Sequence, residues 1–523
     1  MTVSPTSRVG QPPAGTSEAQ SSLRERLVPP IPGSRIWGWA GPLLVTAFAA
    51  FLRFNRLSDP RSIVFDETYY VKDAYGILHY GVEHDLVKGT DAMVAAGQTH
   101  IFTGGGEFVV HPPAAKMLIA VGEWIFGLNP FGWRFAAAFV GTLSVLLLAR
   151  IARRMTRSTL LGCVAGLLLS LDGLEFVMSR TALLDIFLMF WVLAAFGCLV
   201  ADRDWGRARI AERMRSGPDG PGPRLGVRWW RILAGICIGL ACASKWDAIW
   251  YVIAFALLAV AWDIGARRAA GVRRPAGAAI VRDGGPLLGT LLVLPAATYL
   301  ASWSGWFASR IGYDRNYAAS HGVHTPVISA LYSLFEYHKE ILTFHVGLHV
   351  HHPYQSQPWT WLVMSRPVAF YYASPSRGHG GCTVASCSRE VLGIGTPMIW
   401  WASIAALVAL LGWWLVHRDW RAGAVLLGVL AGWLPWFAFP DRTKFFFYGV
   451  VFVPFLVLAI TLCLGLIIGP ARAPAPRRVL GAAVAGGYLI VVLLNFWYLY
   501  PVLADQLIPY TAWHARMWFA SWI

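Results

Sequence analysis

Runs of about twenty apolar residues recur along the chain, and this constrains its fold more than any single motif. A helix advances about 1.5 Å per residue, so about 20 apolar residues cross a hydrocarbon layer of about 30 Å. The runs fall near 36–55, 131–150, 159–172, 182–201, 286–303, 394–416, 422–439, 446–468 and 479–500, with two more inside 232–263. That last stretch is too long for one crossing, and Ser244-Lys245-Trp246-Asp247 reads as a turn dividing it. Composition agrees. Of 523 residues, 56% are hydrophobic and only 14% charged, whereas a soluble domain carries about 25% charged residues. The expectation is an all-α integral membrane protein with about 11 transmembrane helices.

The basic residues set its orientation. The net charge of +16 comes largely from arginines in short segments between spans, at Arg150, Arg153, Arg154 and Arg157, from Arg203 to Arg231, and from Arg267 to Arg282. Basic segments stay on the cytoplasmic side. The charge therefore reports topology, and a nucleic-acid partner is not expected. With about eleven spans, all three basic segments share one side when the N-terminus is inside and the C-terminus outside. Residues 1–35, rich in Ser, Pro, Gly and Gln, read as a disordered basic cytoplasmic tail. Residues 36–523 read as one transmembrane domain with two long outer loops, 56–130 and 304–393. Apolar stretches near 113–127 read as interfacial helices of the first outer loop. Of 14 histidines only His417 falls on the inner side, which points to a working site on the outer face.

Several constellations in those outer segments bear on chemistry. Asp66-Glu67 follows the first span; from spacing alone it is either a solvated loop pair or a base for a reacting hydroxyl. His111-Pro112-Pro113 with Lys116 opens an apolar helix, which accounts equally for a snorkelling lysine. Arg180 with Asp185, Lys245 with Asp247, and Arg442 with Lys444 put cations on the outer side, where few are expected. An anionic headgroup or local ion pairs would both explain them. His338, His345, His349, His351 and His352 lack a Cys or carboxylate to complete a ligand set, so no metal is expected. Tyr354, Trp359 and their aromatic neighbours suit a sugar ring or an interfacial belt. Cys382 and Cys387 share a polar loop on the oxidising side, where a local disulfide is open to them. No P-loop or GxGxxG is present, so an activated donor must supply the energy of any transfer.

In order along the chain, Phe65-Asp66-Glu67-x-Tyr69-Tyr70, His111-Pro112-Pro113-x-x-Lys116, Ser179-Arg180-x-x-Leu183-Leu184-Asp185, Ser244-Lys245-Trp246, His352-Pro353-Tyr354-x-Ser356-x-Pro358-Trp359-x-Trp361 and Arg442-x-x-x-Phe446-x-Tyr448 resemble protein O-mannosyltransferases. The likeness is to the bacterial branch, which lacks the inserted β-trefoil repeats, and it runs through most of residues 45–460. It implies a GT-C glycosyltransferase fold. It also implies transfer of mannose from polyprenyl phosphate mannose to Ser or Thr hydroxyls of translocated proteins, with inversion, at the outer face of the plasma membrane. Asp66 would be the base and Glu67 its positioning partner. Arg180, Lys245, His111, Lys116, Asp185, His352, Tyr354, Trp359 and Arg442 would hold the donor phosphate and sugar. No cofactor is implied; a divalent cation is not indicated by the residues. Acceptors delivered during translocation would couple the enzyme to the secretion channel. Asp247 departs from the family pattern after Lys-Trp. A GT-C transferase acting on a lipid or wall polymer is the neighbouring reading. A polyprenyl-linked sugar transporter is the distant one, because it predicts inverted repeats that the chain lacks.

Overall fold

The computed structural model describes residues 23–214, 222–470 and 472–523. Residues 1–22 of the expected disordered tail, and Arg215 of the second basic segment, lie outside the described residues. The rest of the expected tail is not loose throughout: Leu27 is buried against Ile210, Ala211, Leu225, Ala266 and Ala270.

Among the described residues nine helices are long and apolar enough to cross a membrane, from Trp37–Phe54 to Ala475–Leu503. Two shorter apolar helices, Thr159–Ser170 and Trp229–Cys242, coincide with the two shortest expected spans. Local chemistry sets several boundaries. Asn129 caps Pro130–Thr156, its side chain accepting from the Phe131 and Gly132 amides at 3.1 Å with Pro130 at the first helical position. Ser158 caps Thr159–Ser170 through the Leu161 amide. Asp172 caps Gly173–Met178 through the Glu175 amide at 3.0 Å.

Burial separates the helices into centre and rim. In Leu184–Arg213 and Phe446–Ile468, 72% of the most apolar stretch is buried; in Pro275–Ser302 only 11% is. The first two form the centre of the bundle, and the third presents its apolar side chains to lipid. The rim helix still packs closely at one point. It passes through a π-helical turn, Gly289–Val293, between Pro286 and Pro295. There a Cβ on Gly235 would lie 1.9 Å from the Thr290 carbonyl oxygen.

The polar segments correct the all-α expectation in detail. They carry two small antiparallel sheets: β1 (His84–Leu86) with β2 (Phe102–Gly106), and β3 (Val368–Ala373), β4 (Cys387–Gly393) and β5 (Ile508–Pro509) in the order β3-β4-β5. The helix Ala114–Phe126 exposes Val121, Trp124, Ile125 and Phe126, a row that suits the membrane surface. A second polar-segment helix, Pro326–Gly347, packs Leu334, Tyr337 and Ile341 against Val82, Val109, Trp303 and Trp306.

The close approach at Gly235 sets a stability test. Gly235→Val should lower the unfolding temperature in detergent by several degrees, since overpacking costs about 1–3 kcal/mol. Gly487→Ala, where no atom lies within 4 Å of the added Cβ, should leave it unchanged.

Candidate active site

The site is built on a turn that is held from both sides. Phe65 adopts φ +47°, a left-handed conformation disfavoured for a bulky side chain. Its ring is fixed among Phe370, Phe445 and Phe447, with centroids 5.1, 5.8 and 5.7 Å away, and His352 at 6.1 Å. On the other side Glu67 is fully buried and bound to four donors. Arg134 Nε and Nη2 reach it at 2.8 and 2.9 Å, and the Val64 and Ala182 amides at 3.0 Å. Asp66, between these anchors, occupies the N-cap position of Glu67–Tyr80 and makes no side-chain capping bond. Its carboxyl is left available for other work.

Lys245 stands opposite. The Ala114 amide donates to the Ala243 carbonyl at 3.0 Å, which ties the His111–Ala114 segment to the turn bearing Lys245. Lys245 Nζ donates to Asp185 at 2.9 Å and lies 4.1 Å from the Tyr448 ring centroid. Burial alone would lower the Lys245 pKa, but Asp185 and its neighbours raise it above the usual lysine value. Burial pushes Asp66 up to about 7, with Lys245 pulling it down and Asp185 pushing it further up. A carboxyl poised there can exchange a proton near neutral pH.

A cavity of about 440 Å³ opens beside this group. His111, Lys245, His345 and Arg442 line its polar side; Ile249, Trp250, Leu342 and Val346 line its apolar side. Burial, with Lys245 and His345 close by, holds His111 well below the usual histidine range. His345 is pulled to about 4, chiefly by burial. Its Nε2 lies 2.9 Å from the Val110 carbonyl, so that nitrogen carries the proton and Nδ1 faces Arg442 Nη2 at 3.4 Å. His111 Nδ1 is buried without a partner. The cavity therefore places two cations and two neutral imidazoles together with the carboxylates of Asp247 and Asp441 and opens toward apolar surface; its Lys245, His111 and Arg442 groups suit the phosphate ester of a lipid.

Not every sequence candidate joins it. His111, Lys245 and Arg442 line it, and Asp66 and Asp185 adjoin it through Lys245. Glu67 is a clamp rather than a reacting group, because its carboxylate is occupied. Arg180 is not free for a phosphate: it donates to the carbonyls of Leu52, Arg53, Asn55 and Arg56. Lys116 is fully buried and paired with Glu83 and with Asp73 at 3.4 Å, away from the cavity. His352 supports the Phe65 ring, and its Nδ1 accepts from the Tyr354 amide at 3.1 Å. Tyr354 lies under Arg366, 5.1 Å from its ring. Trp359 is 59% exposed beside Phe437. Cys382 and Cys387 are disulfide-bonded. Among the described residues no group of three or more His, Cys, Asp or Glu converges on a metal position.

Sequence reasoning missed Arg134, whose signal was an arginine within the first turn or two of an apolar span. It also gave Tyr448 and His345 no role in the site, since their contacts join segments far apart in the chain.

The fold has solved counterparts. The protein O-mannosyltransferase complex of Saccharomyces cerevisiae bound to the sugar donor superposes with a TM-score of 0.69 at 14% identity, covering 97% of this chain and 94% of that one. The chain thus shares the fold of that enzyme's subunit. Two family models match in sequence: "Dolichyl-phosphate-mannose-protein mannosyltransferase" over residues 43–304 and "C-terminal four TMM region of protein-O-mannosyltransferase" over residues 330–522. A Mycolicibacterium smegmatis (strain MKD8) protein named polyprenol-phosphate-mannose–protein mannosyltransferase is 41% identical over 528 residues, 98% of each chain. A Mycobacterium tuberculosis (strain H37Rv) protein of the same name is 42% identical over 506 residues, 94% of this chain and 93% of that one. The chain belongs to the protein mannosyltransferase family and is a glycosyltransferase.

The two adjacent carboxylates separate experimentally. Glu67→Gln leaves Arg134 buried without its charge partner and should cost about 3 kcal/mol of stability, read as a lower unfolding temperature. Asp66→Asn, which breaks no capping bond, should unfold within a degree or two of the unmodified protein.

Proposed function

We propose that the chain transfers one mannose from polyprenyl phosphate mannose to a Ser or Thr hydroxyl of a translocating protein, with inversion, at the outer face of the plasma membrane. What carries the reading is Asp66, an uncommitted carboxyl with a pKa of about 7 beside the Lys245–Asp185 pair, next to a cavity that brings Lys245 and Arg442 against apolar walls. The names borne by the mycobacterial relatives support the donor and the protein acceptor.

The acceptor oxygen attacks the anomeric carbon from the side opposite the phosphate, and Asp66 takes the hydroxyl proton. The bond from that carbon to the phosphate oxygen breaks, and polyprenyl phosphate leaves with the bonding pair. Lys245 and Arg442 stabilise the charge that builds on the phosphate. A phosphate leaving group needs no proton, so one carboxyl suffices, as for the single base of an inverting glycosidase. The reaction drawn this way requires no metal. The apolar side of the cavity lets the isoprenoid remain in lipid while its sugar reaches Asp66.

The proposed topology has eleven crossings, the nine long helices and the two short ones, with the N-terminus inside and the C-terminus outside. The helix Leu184–Arg213 supports it: Asp185 stands at one end, while Arg203, Arg207, Arg209 and Arg213 stand at the other, the end that remains cytoplasmic. Acceptors arriving unfolded would couple the enzyme to the secretion channel.

Mass spectrometry of secreted proteins from cells with and without this chain tests the activity. Loss of single hexoses from Ser and Thr is expected; intact protein glycosylation with a changed lipid or wall polymer would move the acceptor assignment there. Asp66→Asn should lower transfer to a Ser/Thr peptide by at least about 100-fold. A base with a pKa near 7 is ionised only above it. The unmodified enzyme's kcat/KM should therefore rise about tenfold per pH unit below 7 and level off above, measured with a synthetic donor and peptide. Arg442→Gln should raise the KM for the lipid donor about tenfold.

A further inference from the structure

A second cavity, of about 700 Å³, lies between the helices Trp246–Ala269, Pro397–His417 and Trp420–Ala438. It is not part of the catalytic cavity. Arg203, at its polar end, follows Asp185 by eighteen residues on one continuous helix, which places it about 27 Å further along the axis. That is close to the full hydrocarbon thickness. The second cavity therefore reaches the opposite membrane interface from Lys245.

Its walls are apolar and partly bare: Leu257 is 61% exposed and Leu411 46%, and Leu427 lines it with them. Its end is cationic. Arg203, Arg207 and Arg418 all line it. Arg203 is 91% buried, sandwiched 3.7 Å from the Trp420 ring centroid and 5.9 Å from that of Trp262. It donates from Nη1 to Asp204 at 3.1 Å, but its Nε is buried with no hydrogen-bond partner. Asp204 is already shared with Arg157 at 2.8 Å and Arg154 at 3.5 Å. Arg207 uses Nε on the Leu27 carbonyl, and Arg418 rests 5.0 Å from the Trp414 ring centroid. One carboxylate thus serves three arginines, and the positive charge facing the cavity is not neutralised from within.

We propose that this groove holds an anionic glycerophospholipid of the leaflet opposite the catalytic cavity, its acyl chains along Leu257, Leu411 and Leu427 and its phosphate on Arg203, Arg207 and Arg418. Charge complementarity selects the occupant. An exposed apolar groove ending in unneutralised guanidinium groups matches an acidic headgroup on acyl chains, and basic pockets between membrane helices bind such heads. The donor lipid is the weaker match, because its phosphate belongs with Lys245 at the far interface. The indole rings of Trp414 and Trp420 sit at the headgroup level, where such rings concentrate.

The full-length protein, placed in nanodiscs of phosphatidylglycerol and phosphatidylcholine in equal parts and released for native mass spectrometry, tests this. One phosphatidylglycerol should stay bound through release. Its retention should fall at least about fivefold for each arginine removed, in Arg418→Gln and in Arg203→Gln with Arg418→Gln. Leu411→Trp, which fills the groove without changing charge, should also displace it. Arg273→Gln, an exposed basic site beyond the end of the helix Trp246–Ala269 and outside the lining, should not. Arg418→Gln touches no buried pair, so folding does not confound it, and transfer by Asp66 should persist in that variant. Equal retention of phosphatidylcholine, or retention unchanged across the variants, would mean annular lipid only and would overturn the proposal. So would recovery of polyprenyl phosphate as the arginine-dependent species from membranes.

Discussion

The buried pairing of Glu67 with Arg134 is the interaction on which the rest of the site depends. One carboxylate joins three pieces of the chain: the turn at Val64, the helix Pro130–Thr156 through Arg134, and the entry to Leu184–Arg213 through the Ala182 amide. Arg134 extends the joint by donating to the carbonyls of Pro60 and Ser62 at 2.9 and 2.8 Å. A charge pair out of water is most favourable when the remaining donors and acceptors are engaged. Here both are, and the result is a fixed platform on which Asp66 has no structural duty.

The same device recurs at other levels of the bundle. Arg53 pairs with Glu175, both fully buried, and Ser179 donates to that carboxylate at 3.0 Å. Asp202 and Asp263 share Arg228 and Arg231 through five hydrogen bonds of 2.6–3.1 Å. Each network links helices that lipid-like side chains alone would let slide, since apolar packing in a membrane has no solvent to escape. The networks fix register, and register fixes which residues meet at the cavity. Arg180 acts likewise: its four carbonyl bonds close the end of the helix Trp37–Phe54 beside the first polar loop.

A division of labour follows among the charged residues. Those engaged by internal partners, Glu67, Arg134 and Arg180 through hydrogen bonds and Lys116 through ion pairs with Glu83 and Asp73, hold shape. Three charged or titratable groups are left incomplete beside the cavities: Asp66, which makes no cap bond, adjoins the first through Lys245, His111 lines it with an unpartnered Nδ1, and Arg203 lines the second with an unpartnered Nε. Incompleteness of this kind in a buried polar group is costly, and beside a cavity a ligand can relieve it.

Much of this was legible in the chain itself. All eleven apolar stretches lie on helices, because about twenty apolar residues in lipid have few other ways to satisfy their backbone. The arginine-rich segments, the turn at Ser244–Asp247 and the acidic pair were equally plain, as local features of composition. The assignment of roles was not. Arg180, Lys116 and Lys245 look alike in sequence, three cations beside outer loops, yet the first binds carbonyls, the second sits among carboxylates and the third faces Asp66. The three-stranded sheet was hidden too, since β5 joins β4 from more than a hundred residues away. The sequence by itself determined the membrane bundle, the family and the list of candidates, through hydrophobicity and motif order, which are properties of neighbours in the chain. Tertiary structure alone decided which candidates remain free to react, because a side chain's freedom depends on partners that only folding brings within hydrogen-bond reach.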